Sequence, residues 1–227
     1  MAFFTMTSNQ WVPVAVSQDI RPAENIVAGF SGAQEVALWR SQEGLVQAWE
    51  NRCPHRGMRF TLGRIVGGRL SCAYHGWEFE AGGGLCAAIP AHPGMAAPKN
   101  ACATTYPVVE AQGMVWVSLP AQEGPAGSVS VLPTGDAPGQ FCRTLSVRTS
   151  ATHATDVLGA QGFIETAPCV LAGTLDEQVL TVFVNEVSAE LTLLHVWMAS
   201  GLSATAIHAV MASLQSLRTS IESAKAS

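Results

Sequence analysis

The sequence predicts a mainly β protein with one C-terminal helix, an α+β chain built as two units. Three observations predict it. Short apolar segments rich in Val, Trp and Ile recur between glycines through the first half. A stretch at 118–140 holds Pro120, Pro125, Pro133 and Pro138 among Gly124, Gly127, Gly135 and Gly139, which marks a boundary. Near the end, Ala204, Ile207, Val210, Met211, Leu214, Leu217 and Ile221 recur every three or four residues.

Taken in order, Trp11–Val16 reads as the first strand. Glu35–Arg40 and Leu45–Glu50 flank Ser41-Gln42-Glu43-Gly44, a hairpin signal. Short strands continue through 51–118 and close on Met114–Val117. This sets a first domain at 1–118, a linker at 119–140 and a second unit at 141–227. In the second unit, Gln178–Val187 and Glu190–Met198 read as long strands turning near Ser188, and Ser203 is placed to cap the helix. No internal repeat is visible.

The chain of 227 residues is long enough to bury a core without staples. Its 12 basic and 17 acidic residues give a net charge of −5, which argues against a nucleic-acid partner. No apolar run approaches the roughly 18–20 residues of a membrane span. Met1-Ala2-Phe3-Phe4-Thr5-Met6-Thr7 lacks the basic start and apolar stretch of a signal peptide, so the expectation is a cytoplasmic protein without a membrane partner. Only 13% of residues are charged, which suits a surface covered in a homo- or hetero-oligomer. In a reducing compartment the six cysteines point to metal ligation before disulfides.

One constellation carries chemistry. Cys53-Pro54-His55-Arg56-Gly57 is followed, after sixteen residues at 56–71, by Cys72-Ala73-Tyr74-His75-Gly76-Trp77. Two thiolates with two imidazoles suit zinc or a Rieske [2Fe–2S] cluster. Each half contributes one Cys and one His. A zinc finger instead pairs its cysteines in one knuckle, whereas the cluster needs two sulfurs on one iron and two imidazoles on the other. Gly57 and Gly76 allow tight turns around the ligands, and Pro54 stiffens the first loop. Tyr74 and Trp77 read either as cover over the site or as ordinary core aromatics. Arg56 reads as a steering group for an acidic partner or as half of a surface ion pair. Cys86, Cys102, Cys142 and Cys169 are expected as small buried hydrophobes. His92 is expected on a loop surface, His195 in the core and His208 at the solvent edge of the helix.

At these residues the chain resembles the N-terminal domain of the Rieske non-haem iron oxygenases, over about 8–118. The resemblance extends through Glu78-Phe79, Gly82-Gly83-Gly84 and Ile89-Pro90. It implies a Rieske-type β-sandwich whose [2Fe–2S] cluster takes Cys53 and Cys72 on one iron and His55 and His75 on the other, with Arg56, Gly57, Tyr74, Gly76 and Trp77 around it. The second unit resembles a shortened helix-grip domain, sheet then helix. Respiratory-chain Rieske proteins carry a disulfide between the cluster loops; here Met58 and Tyr74 stand in those places. Trp77 and Phe79 replace their hydroxyl donors to the sulfurs, which implies a potential toward the low end of about −150 to +300 mV.

A complete oxygenase of that family also carries an Asp-x2-His-x4-His run for a mononuclear iron. Beyond the linker this chain has His153, His195 and His208, separated by 42 and 13 positions, so the run is absent. No mononuclear iron is therefore expected on this chain. The resemblance then implies an electron relay. A reductase or ferredoxin would be its donor and an iron-bearing oxygenase chain its acceptor, within a system hydroxylating or demethylating a small organic substrate. Two alternatives stand beside it. One is a self-sufficient oxygenase with an atypical iron site from His153, Asp156 and a distant histidine. The other is a non-catalytic subunit that keeps the cluster as a structural or redox-sensing element.

Overall fold

The computed structural model describes residues 10–32, 34–119 and 132–223. Most of the linker expected at 119–140 lies outside the described residues. The strands are β1 (Gln10–Val16), β2 (Val27–Ser31), β3 (Gln34–Arg40), β4 (Val46–Glu50), β5 (Arg64–Val66), β6 (Arg69–Ser71), β7 (Glu78–Phe79), β8 (Cys86–Ala88), β9 (Thr105–Tyr106), β10 (Val108–Ala111) and β11 (Met114–Leu119). After them come β12 (Gln140–Val147), α1 (Ala151–Ala160), β13 (Ile164–Ala167), β14 (Val170–Leu175), β15 (Gln178–Ser188), β16 (Leu191–Met198) and α2 (Ala204–Ser223). They divide into two compact units, one reaching Thr134 and the other starting at Gly135, with Phe30–Ala33 counted in the second.

The first unit holds three sheets, ordered β1-β11-β10, β2-β3-β4-β9 and β5-β6-β7-β8. The hairpin β3–β4 is its centre. Val36, Ala37, Leu38 and Trp39 are all fully buried, although successive strand side chains point to opposite faces. Both faces of this hairpin are therefore covered. Val36 and Leu38 pack with Val14, Val115 and Val117 of the β1-β11-β10 sheet. Ala37 and Trp39 pack with Phe60, Leu70 and Phe79 around the β5–β8 sheet. Arg40 ties the first core's loops: its guanidinium donates to the carbonyls of Ile20 and Gly44, at 2.7 and 2.9 Å, and pairs with Glu110.

The second unit is a five-stranded antiparallel sheet, β12-β16-β15-β14-β13. Its core lies on one face, where Leu145, Val182, Leu194 and Val196 meet both helices. Helix α2 forms as its periodicity dictates. Val210, Leu214, Leu217 and Ile221 are the buried stripe, and the Ser203 hydroxyl accepts the Ala206 amide at 3.2 Å. Helix α1 was not foreseen. Its ten residues bury only Ala154 and Leu158, too few to show a period, although Ser150 caps it by accepting the His153 amide at 3.3 Å.

His195 lies on β16, opposite Thr144 of β12, and is 4% exposed. Its Nδ1 hydrogen-bonds the Thr144 hydroxyl at 2.8 Å, but its Nε2 is buried without a partner. The expected core histidine is thus only half satisfied. Burial pushes its pKa down from 6.5 to about 4. Above pH 6.5 both folded and unfolded chains hold it neutral. As pH falls from 6.5 to 4, only the unfolded chain takes up the proton, and the fold loses about 3 kcal/mol. Urea unfolding between pH 7 and 4 is expected to show that loss in the parent and a flatter profile in His195→Leu; identical profiles would contradict it.

Candidate metal centre

Two loops of the first unit make the same turn. The first follows β4, and in it the Cys53 amide donates to the Met58 carbonyl and the Gly57 amide to the Cys53 carbonyl, both at 2.8 Å. The second follows β6, where the Cys72 amide donates to the Trp77 carbonyl at 2.9 Å and the Gly76 amide to the Cys72 carbonyl at 3.0 Å. Both turns need a left-handed residue at their fifth position, and Gly57 and Gly76 supply it with φ of 72° and 69°. The repeated turn gives each loop a cysteine at its base and a histidine near its tip.

Cys53 and Cys72 are 2% and 4% exposed. They belong to the core cluster floored by Trp39, Trp49, Phe60 and Phe79, whose rings meet edge to face at centroid distances of 5.0 to 6.5 Å. Burial pushes the Cys53 thiol up to about 12, and the adjacent Cys72 adds to the rise. The backbone amides of His55 and Arg56 bond toward its sulfur and work the other way. So placed, the thiol keeps its proton at neutral pH unless a cation is bound between the sulfurs. The imidazoles of His55 and His75 lie toward solvent, their rings 4.7 Å apart at 60°. Loss of water, then His75 and Arg56, lowers the His55 pKa and favours the neutral, ligating form.

The four donors therefore form a buried sulfur pair and an outer imidazole pair. Among the described residues no three His, Cys, Asp or Glu side chains converge as a single-ion site. Two pairs of unlike donors fit a two-iron group better than one tetrahedral ion. The site thus fits a [2Fe–2S] cluster by donor type, by count and by separation into pairs.

The flanking residues divide by role. Trp77 stacks on His55 at 4.2 Å and 6°, while Tyr74 tilts over His75 at 3.8 Å and 33° and is 56% exposed. Arg56 is exposed and borders two shallow grooves of about 520 and 310 Å³. One brace was not foreseen. Arg59 grips Glu35 through two hydrogen bonds of 2.7 and 2.6 Å, and buried Asn51 donates to Glu35 and Thr61 while its Oδ1 accepts the Thr61 amide. Its only sequence signal is a polar residue, Asn51, placed two positions before Cys53.

The remaining predicted residues are dispersed. Cys86 is buried, and Cys142 and Cys169 are half-buried. Cys102 corrects the expectation: it is exposed, because it opposes the exposed Leu85 in an isolated β-bridge and both side chains leave the core on one side. His92 is exposed as expected. His153 Nε2 bonds the Ile221 carbonyl at 3.2 Å, at the C-terminal end of α2, and His208 Nδ1 bonds the Ala204 carbonyl at 2.7 Å.

Residues 10–107 match the Rieske [2Fe-2S] domain family. The chain is 44% identical over 124 residues to the oxidoreductase NdmD of Pseudomonas putida, covering 55% of this chain and 21% of that protein. It is 36% identical over 119 residues to the chloroplastic protein TIC 55 of Arabidopsis thaliana, covering 52% and 22%. The matches thus span about a fifth of these relatives' length. In fold, the chain is similar to the crystal structure of apo dicamba monooxygenase, with a TM-score of 0.69 and 21% identity over 96% of this chain and 87% of that one. That likeness covers the second unit as well as the first.

A Cβ added at Gly76 would meet only Pro90, at 3.9 Å, so substitution there tests the turn itself. Gly76→Ala is expected to cost about 1–2 kcal/mol of stability through its left-handed φ. Urea unfolding checks this, and an unchanged midpoint would contradict it.

Proposed function

From the premise that residues 10–107 are a Rieske [2Fe–2S] domain related to those of Rieske oxygenases, we propose that this chain relays single electrons within an oxygenase system. The observation that carries the reading is the pairing of the donors, two sulfurs inside and two imidazoles outside. Cys53 and Cys72 would hold one iron as thiolates, and His55 and His75 the other. The cluster supplies reversible uptake of one electron.

The chain's own residues set the direction of exchange. The aromatic floor beneath the cysteines excludes water from the sulfur side. His75 is exposed, so a partner would meet the imidazole side. Arg56, on the rim of that side, suits a carboxylate-bearing partner. A reductase or ferredoxin would be the donor, and a mononuclear iron on another chain the acceptor. The duties of the leftover histidines support placing that iron elsewhere: His153 and His208 bond helix carbonyls, and His195 is buried against Thr144.

Iron analysis and a reconstituted assay test this. The loaded protein is expected to carry two irons per chain. Reduced and mixed with an iron-bearing oxygenase chain under O2, it is expected to support turnover that neither chain gives alone. A third iron with turnover by this chain alone would favour the self-sufficient alternative. A stable monomer that neither binds nor reduces such a chain would refute the relay.

A further inference from the structure

The two loops are each closed by their own backbone hydrogen bonds, Cys53 with Met58 and Gly57, Cys72 with Trp77 and Gly76. All six cysteines are free, so no disulfide links the loops. Their spacing rests on side chains. Among the side chains that meet across the gap, the two imidazoles touch edge to face at 4.7 Å, whereas the indole of Trp77, carried by the second loop, lies parallel on the imidazole of His55, carried by the first, at 4.2 Å.

We propose that Trp77 is the positioning residue that clamps the two loops at the spacing the cluster requires, and that its indole tunes the cluster by covering one face of His55. This rests on the ligand assignment proposed above. Three features make Trp77 the clamp. Its carbonyl accepts the Cys72 amide, so the turn that places the second cysteine also places the indole. Its ring packs against the buried cluster that contains Cys53, Cys72 and Phe79, which limits its swing. Its 6° stack restrains rotation of the His55 ring, whereas Tyr74, tilted at 33° and largely exposed, has little to hold it on His75.

The stack also makes the two imidazoles unequal. The electron-rich face of the indole lies against His55 and keeps water from that side. The reduced cluster carries one more negative charge than the oxidised one. An electron-rich ring disfavours that charge, and water favours it. Removing the indole therefore raises the reduction potential through both effects.

The test compares loaded parent protein with Trp77→Phe and Trp77→Leu. Three quantities are read: the rate of loss of visible absorbance in the presence of a chelator, the reduction potential, and the electron paramagnetic resonance linewidths. Trp77→Leu is expected to lose its cluster about two- to tenfold faster, as an aromatic pair's energy implies. It is also expected to show a raised potential and broadened lines from a freer His55 ring. Trp77→Phe, which keeps a ring over the imidazole, is expected to fall between it and the parent in all three. Should Trp77→Leu not accumulate, Trp77→Met is read in its place. A Trp77 that merely fills the core would lower unfolding stability and leave the potential unchanged, which would overturn the proposal, as would equal rates of cluster loss. A parent protein that takes up no cluster would instead refute the ligand assignment.

Discussion

Two thiols must lie in the core while two imidazoles, four residues or fewer away along the same loops, reach solvent. The rest of the first unit follows from that demand. A loop that dips and returns so quickly needs a residue with positive φ, hence Gly57 and Gly76. A buried thiol needs a dry floor, hence the edge-to-face rings of Trp49, Phe60 and Phe79. A floor of rings needs a sheet covered on both faces, hence the run of Val36 to Trp39 divided between two cores. Buried apolar area of this kind contributes about 25 cal/mol per Å² to stability.

The second unit answers to different physics. Its sheet is closed on one face by α1 and α2, and its histidines serve local hydrogen bonds, His153 and His208 to helix carbonyls and buried His195 to Thr144. Their dispersion contrasts with the first unit, where four donors converge from two turns.

Much of this was legible in the residues. The alternation of Cys and His across two similar boxes marked the four candidate donors and the two turns that carry them, because few groups need one sulfur and one imidazole per loop. The period of Ala204 to Ile221 located α2, and Ser41–Gly44 located the β3–β4 hairpin. What stayed hidden had weak local signals. Helix α1 shows two buried residues and no clear stripe. The Glu35–Arg59 brace joins residues 24 positions apart, and no sequence period records it. Trp77 and Tyr74 are neighbours of one histidine in sequence, yet Trp77 reaches across to the other loop's imidazole, a choice made by tertiary packing alone. Cys102 looked like a small core residue and is exposed because its bridge partner faces outward.

The proposed cluster would place two sulfurs on one iron and two imidazoles on the other. Nitrogen hyperfine spectroscopy of the reduced protein, labelled with nitrogen-15 histidine, tests it most directly. Couplings from two imidazole nitrogens to the cluster spin are expected, lost in part in His55→Ala or His75→Ala. A paramagnetic cluster with no histidine coupling, or a colourless protein holding a single zinc, would contradict it.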